Sequence, residues 1–398
     1  MNFDWPLRFG AFMSPVHSSH EDPTVALHRD VELIQWMERH GFDEAWMGEH
    51  HSTGWEVVGS PEVFLAYAAA RTERIRLGTG VISLPYHHPF NVAERLVLLD
   101  HLTRGRAILG VGPGALPYDA YLYGLETTDL RPMMEESLEV ILPLLRGEAV
   151  TRKTKYWELR DARLQLSPLT RPRFEVAVTS MVSPSGSKLA GKHGLSILSL
   201  NASMSASMNF LKTNWGIAED EAAQHGQTVD RRNWRLVCPM HIAETREQAR
   251  RDVRDGLARW AWYNSKINAL GIIPEGADTV DQQIEVLIEN GFAVIGTPDD
   301  AAAQIARLWE HSGGFGTFLL WSHDWANREA TWRSYALFGT EVAPRFRGST
   351  AALKAAEDYA LTQYAALGNQ TGVAIQKATE KYHAQKQHDA APDALRRG

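Results

Sequence analysis

The stretch "LRFGAFMSPVH", residues 7–17, decides between two architectures. Residues 7–13 read as a short β-strand, and an amphipathic helix follows at 24–41, closed by Gly41. A doubly wound open sheet places a glycine-rich phosphate loop at its first strand-to-helix turn. "AFMSPVH" has no glycine after the strand, so this first unit reads as one stave of something else.

Working outward, strand and helix patterns alternate. Strands are predicted at 43–50, 76–84, 106–114, 174–181, 195–200, 234–243 and 315–323. Helices are predicted at 60–75 (with Ser60 as N-cap and Pro61 at its first position), 88–105 and 130–147. Others are predicted at 185–192, 205–226, 246–265, 298–312 and 326–338. Eight strand–helix units in series predict an α/β fold, a (β/α)₈ TIM barrel. The alternating run 148–168 predicts an inserted β-hairpin. Residues 266–296, with Gly271, Pro274, Gly276 and Gly291, form a long connection after strand seven and are expected to act as a lid. The barrel is assigned to residues 1–348. Residues 349–398, rich in Ala, Gln, Lys and His, are expected to be a solvated helix fraying into a disordered tail.

Composition narrows the function. The 398 residues are 44% hydrophobic and 22% charged, with a net charge of −7, which gives no reason to expect nucleic acid or an anionic membrane as partner. One cysteine, Cys238, excludes disulfide scaffolds and cysteine–zinc sites, and is expected to be a buried, inert thiol. No signal peptide or membrane-length apolar run is evident, so a cytoplasmic protein is expected.

Barrel enzymes build their sites at the C-terminal strand ends. Here those ends offer Phe12, Met13 and Ser14; Glu49, His50 and His51; Gly80, Val81 and Ser83; Gly112 and Gly114 with Asp119 nearby. They continue with Thr179, Ser180 and Ser183; Leu200 and Asn201; Met240 and His241; Trp321, Ser322 and His323. In "MGEHHSTGW" (47–55), Glu49, His50 and His51 could be metal ligands, an acid/base set, or polar residues at a strand end. Strands four to six end in glycine, serine and threonine, without the carboxylates a divalent metal needs, so no metal is expected. "TSMVSPSGSKLAGKHG" (179–194) suits a phosphate monoester at a helix start, through Thr179, Ser180, Ser183, Ser185 and Gly186. Plain N-capping by Ser183 or Ser185 explains the serines equally well. "GVGPG" (110–114) permits a tight turn or the close approach of a flat ring, whereas Pro113 lacks the N–H of a phosphate cradle. Phe12, Met240 and Trp321 are candidate walls of a substrate pocket. Trp260, Trp262 and Tyr263 are either pocket wall or helix packing.

Several motifs in order carry a family resemblance: "GEHH" (48–51), "GTGVISLPYHHPFNVAE" (78–94), "LLDHLTRGRAILGVGPG" (98–114) and "LAGKHGLSILS" (189–199). The chain resembles the bacterial-luciferase-like flavin monooxygenases over about residues 7–346. Through "GALPYDAYLYG", "YWELRDARLQLSP" and "FLLWSHDWA" it is most similar to their limonene and diketocamphane monooxygenase branch. The resemblance implies a two-component enzyme, usually a homodimer. It would take reduced FMN from a separate NAD(P)H:flavin reductase and oxygenate a hydrophobic small molecule with O2 through a C4a-peroxyflavin. That molecule would be a terpenoid, a ketone or a natural-product intermediate, and the reaction an epoxidation, a hydroxylation or a Baeyer–Villiger insertion. It also implies that His50 is the catalytic histidine, a neutral imidazole holding one proton, and that Asp119 influences the flavin. Gly80–Val81 would be a non-prolyl cis peptide beside the flavin, with Met13, Glu49, Gly112 and Gly114 among the cofactor contacts. Glu49 would orient a neighbour or pair with a basic residue, and His87 and His88 would cap or orient the third helix. Bacterial luciferase has a phosphate-gripping arginine where this chain has Pro113, which shifts the phosphate onto the 179–186 turn. An F420-dependent oxidoreductase of the same fold, or a non-catalytic flavin-binding accessory protein, are the other readings.

Overall fold

The computed structural model describes residues 3–14, 16–268, 272–273 and 276–389. Gly271 and Pro274 of the long connection, and 390–398 of the tail, lie outside the described residues. In chain order the strands are β1 (Arg8–Met13), β2 (Glu44–Met47), β3 (Arg76–Thr79), β4 (Ile82–Ser83), β5 (Ala107–Gly112), β6 (Val150–Lys153), β7 (Glu158–Ala162), β8 (Glu175–Ser180), β9 (Ser196–Ser199), β10 (Trp234–Ile242), β11 (Val294–Gly296) and β12 (Thr317–Ser322). β1 pairs in parallel with β2, β2 with β3, and β3 and β4 with β5; β8 and β9 follow. The ring then closes through β9–β10, β10–β12 and β12–β1. Counting β3 and β4 as one interrupted stave, the barrel has the eight staves that the alternation predicts. β6 and β7 form the antiparallel hairpin.

Side chains alternate across each strand, so one residue points inward and the next toward the helices. Phe12, Trp46, Ile108, Ala177, Leu198, Val237 and Leu319 form the interior layer. The indole of Trp46 fills the centre: a Cβ on Gly78 would lie 2.5 Å from its Cδ2, and one on Gly110 2.9 Å from its Cζ3. Below this layer, at the strand starts, sits a buried ion cluster. Arg235 donates to Glu44 at 2.7 and 2.9 Å and to Glu175 at 2.6 Å, and its guanidinium lies 5.0 Å from the Trp46 ring. The outward-facing residues pack with the helices in the larger core, which includes Cys238. Burial pushes the Cys238 thiol up to about 11, which keeps it protonated and inert.

Three local departures have physical causes. The helix expected over 60–75 ends at Ala69, because the carboxylate of Glu38 takes the N–H groups of Glu73, Arg74 and Ile75 at 2.9, 2.5 and 2.9 Å. Ser60 holds the N-cap position without a side-chain capping bond. A short unforeseen helix, Pro117–Leu122, follows β5 and carries Asp119. The 266–296 connection is more ordered than a loop. Thr279 and Gln282 form a capping box that starts the helix Val280–Glu289, and β11 pairs with Met240–Ile242 outside the ring. Ile284, Leu287 and Phe292 pack with Trp260 and Tyr263 of the helix Arg246–Lys266.

The chain divides into two compact units, Met1–Arg347 and Gly348–Gly398. The described part of the second is dominated by one exposed helix, Ala351–Asp389. Among the described residues no helix is long and apolar enough to cross a membrane.

Candidate active site

The end of β2 turns outward at "GEHHST", and the turn is stitched by carboxylates. His50 Nδ1 lies 2.9 Å from Asp119 Oδ2, and its Nε2 lies 3.1 Å from Glu56 Oε2. The other oxygen of Asp119 accepts from the His51 N–H at 3.1 Å and the Ser52 hydroxyl at 2.5 Å. Tyr263 donates its hydroxyl to Glu56 at 2.9 Å and stacks on Trp55 at 5.0 Å. Burial alone would disfavour a charged His50. The Glu56 carboxylate and the bond to Asp119 outweigh it, and the pKa of His50 is raised. Against the expected neutral imidazole, the two flanking carboxylates favour the charged form of this ring.

Glu49 points away from His50. One of its oxygens lies 2.8 Å from His51 Nε2 and 2.7 Å from His87 Nε2, and the other accepts the Ser83 N–H at 2.9 Å. Burial would raise its pKa, but the bonds from His51 and His87 prevail and lower it. Both oxygens of Glu49 are thus engaged in orienting His51, His87 and the start of β4. One carboxylate and two imidazoles do gather here, at the separations of hydrogen bonds. His88 precedes the helix Pro89–Leu102 without a side-chain capping bond.

The remaining strand ends sort by pleat. Phe12 faces inward, and Trp321 meets it edge-on at 6.5 Å, its indole N–H fixed by Ser14 Oγ at 2.9 Å. Met13 and Met240 are buried in the larger core cluster. Each is an odd number of residues from an inward neighbour (Phe12 and Val237), and alternation turns it out. The Gly80–Val81 peptide is cis and separates β3 from β4. A Cβ on Gly112 would lie 2.6 Å from Val81 Cγ2 and 3.2 Å from Thr179 Oγ1, so the neighbouring side chains require glycine there. Gly114 has φ +90 and faces the Tyr86 hydroxyl, which supports the tight-turn reading.

At the end of β8 the serines gather around the start of the helix Ser185–His193. Ser183 and Ser185 hydroxyls are 3.0 Å apart, as are those of Ser180 and Ser187. The N-cap position is Pro184, with no side-chain capping bond. A Cβ on Gly186 would lie 2.0 Å from the Thr179 carbonyl oxygen, a contact with backbone that cannot give way cheaply. Gly186→Ala is expected to destabilise the fold by about 1–3 kcal/mol, since overpacking forces the helix off the strand end. An unchanged thermal melt would contradict this close approach.

Residues 7–315 match the family model described as luciferase-like monooxygenase. The chain belongs to the luciferase-like monooxygenase family. This luciferase-like monooxygenase is 48% identical to limonene 1,2-monooxygenase of Rhodococcus erythropolis, over 95% of this chain and 96% of that protein. It is 47% identical to 4-hydroxyprotoasukamycin monooxygenase of Streptomyces nodosus subsp. asukaensis, over 86% and 93% respectively. Among solved structures it resembles the oxygenating constituent of 3,6-diketocamphane monooxygenase of Pseudomonas putida in complex with FMN. The TM-score is 0.73 and the identity 25%, over 86% of this chain and 99% of that one. An F420-dependent secondary alcohol dehydrogenase shares the fold, at TM-score 0.64 and 19% identity over 84% and 98%. The protein is an oxygenating enzyme, and the non-catalytic accessory reading is set aside.

The sequence reading missed Glu56, Ser52, Tyr86 and the hydroxyl of Tyr263. Glu56 stands just beyond "GEHHSTGW" and was within reach of a local argument. Tyr263 arrives from 207 residues away, and no sequence signal pairs the two.

Proposed function

We propose that this luciferase-like monooxygenase uses reduced FMN, delivered by a separate reductase, and O2 to oxygenate an apolar terpenoid or natural-product molecule. The observation that carries the reading is His50, fixed at the end of β2 between Asp119 and Glu56. The flavin must also fit. At the start of the helix Ser185–His193 the Ser183 hydroxyl accepts the Ser185 N–H at 3.4 Å and meets the Ser185 hydroxyl at 3.0 Å, a ring of hydroxyls that suits a phosphate monoester. Phe12, Val81 and Trp321, on the interior layer, supply apolar surface. Ser183, Ser185 and the first-turn N–H groups would hold the phosphate, with Pro113 contributing none. When bound, the reduced flavin supplies the electrons that let one oxygen atom enter the product while the other leaves as water.

The protein's own part is positional and protonic. Asp119 fixes the ring of His50 through Nδ1, and Ser52 and the His51 N–H fix Asp119. His50 holds a proton at Nε2, and Glu56 beside it is the group through which that proton is replaced, with Tyr263 keeping Glu56 oriented. Phe12, Trp46 and Trp321 of the interior exclude water from the reacting centre.

The test supplies reduced FMN from a reductase with isotopically labelled dioxygen and a terpenoid panel. Label in the product, and tighter binding of FMN than of riboflavin, is the expected result. Ser183→Ala/Ser185→Ala should narrow the FMN-over-riboflavin preference by about tenfold. Anaerobic turnover with reduced F420, and none with FMN, would replace this reading with hydride transfer.

A further inference from the structure

His323 follows β12 directly, one residue beyond its end. Both of its ring nitrogens are sealed from solvent, and neither has a hydrogen-bond partner among the described residues. Three indoles surround it: Trp321 at 4.7 Å, Trp325 stacked at 4.8 Å and Trp260 at 5.2 Å between ring centroids. The indole N–H of Trp325 is likewise buried and unpartnered. Buried polar atoms in native proteins are almost always satisfied, so an orphaned imidazole beside an orphaned indole N–H calls for a group not yet in place. The residue also lines a cleft of about 860 Å³, together with Ser322, Asp324 and Trp325. On its other side, Trp321 meets Phe12 of the barrel interior.

We propose that His323 is a specificity-determining residue of the oxygenation. It would bind, together with the Trp325 N–H, one oxygen function on an otherwise apolar substrate, a ketone carbonyl or a hydroxyl. A neutral imidazole offers one donor and one acceptor, and indole offers a donor, so the pair can satisfy both lone pairs of a carbonyl or both sides of a hydroxyl. The three indoles supply the apolar surroundings of that oxygen. Burial with no compensating charge holds the His323 pKa down to about 3, so the ring stays neutral and does not select anions. The inference rests on the monooxygenase reading for its catalytic meaning, but the binding it predicts is independent of flavin.

Limonene and carvone share a skeleton and differ by one carbonyl, which makes them a suitable probe pair. Calorimetric titration of the full chain, with and without FMN, is expected to show carvone binding roughly 10- to 100-fold more tightly than limonene. His323→Phe should abolish that preference without weakening limonene binding, and His323→Gln should retain part of it. A wild-type protein that binds the two alike overturns the proposal whatever the variants do, as does a His323→Phe variant that keeps the preference. Failure of FMN to bind would instead strike the flavin reading and leave the carvone-over-limonene result standing.

Discussion

Replacing His50 with alanine is expected to lower product formation by about 10²–10⁴-fold, the usual worth of a positioned general acid or base, while FMN still binds. The ring contacts Asp119 and Glu56 and caps no strand, so its loss removes a proton carrier and not a structural prop. Reducing equivalents should then appear as hydrogen peroxide instead of oxygenated product. The pH profile carries a second signature. Two carboxylates raise the His50 pKa, so a reaction that needs the imidazolium keeps its rate above the ordinary histidine range and loses it only on further alkalinisation. Glu56→Gln removes one anion and should move that alkaline limb toward lower pH. Full oxygenation by His50→Ala, or an alkaline limb indifferent to Glu56→Gln, would remove His50 from the chemistry.

The largest effect on stability is expected at the opposite end of the barrel. Arg235→Ala strands the Glu44 carboxylate, which is wholly buried and otherwise contacted by Arg76 and the Trp46 N–H. Breaking a buried pair from one side costs about 3–5 kcal/mol, a large share of the roughly 5–15 kcal/mol that holds a domain folded. The sign with pH follows from the carboxylates. Burial pushes the pKa values of Glu44 and Glu175 up, but Arg235 outweighs it and both are lowered in the folded state. Their contribution is present above the ordinary value of 4.5 and is lost as pH falls through the folded values. The deficit of Arg235→Ala should therefore be greatest at neutral pH and shrink on acidification. Denaturant melts at neutral pH and at the most acidic pH where the wild-type protein stays folded measure this directly. A deficit equal at both would mean that Arg235 contributes packing against Trp46 and little charge pairing.

The architecture was legible because periodicity is a local property. Eight strand signals, each followed by a helical one, require only nearest-neighbour chemistry, and the hairpin and the strand-end roster came from the same source. The start of the fold showed in what "AFMSPVH" lacks, and the family motifs around Glu49, His50 and Gly80–Val81 were readable as written. Short-range errors came from competition that crosses the chain: Glu38 captured the N–H groups of Glu73 to Ile75 and cut a predicted helix short. A list of strand ends does not say which way each pleat faces, and one residue of register exchanges cavity for helix layer, so Met13 and Met240 could not be placed from sequence.

What the sequence by itself determined was the barrel, its family and the presence of His50 at a strand end. Only the tertiary structure decided the surroundings of that histidine, because Asp119 reaches it from a second segment and Tyr263 fixes Glu56 from a third. It also decided that Glu49 is consumed by His51 and His87, and that His323 is left unpartnered among indoles. Periodicity is set by bonds between near neighbours, whereas the charge on a buried ring is set by whichever distant groups the closed fold brings within about 3 Å of it.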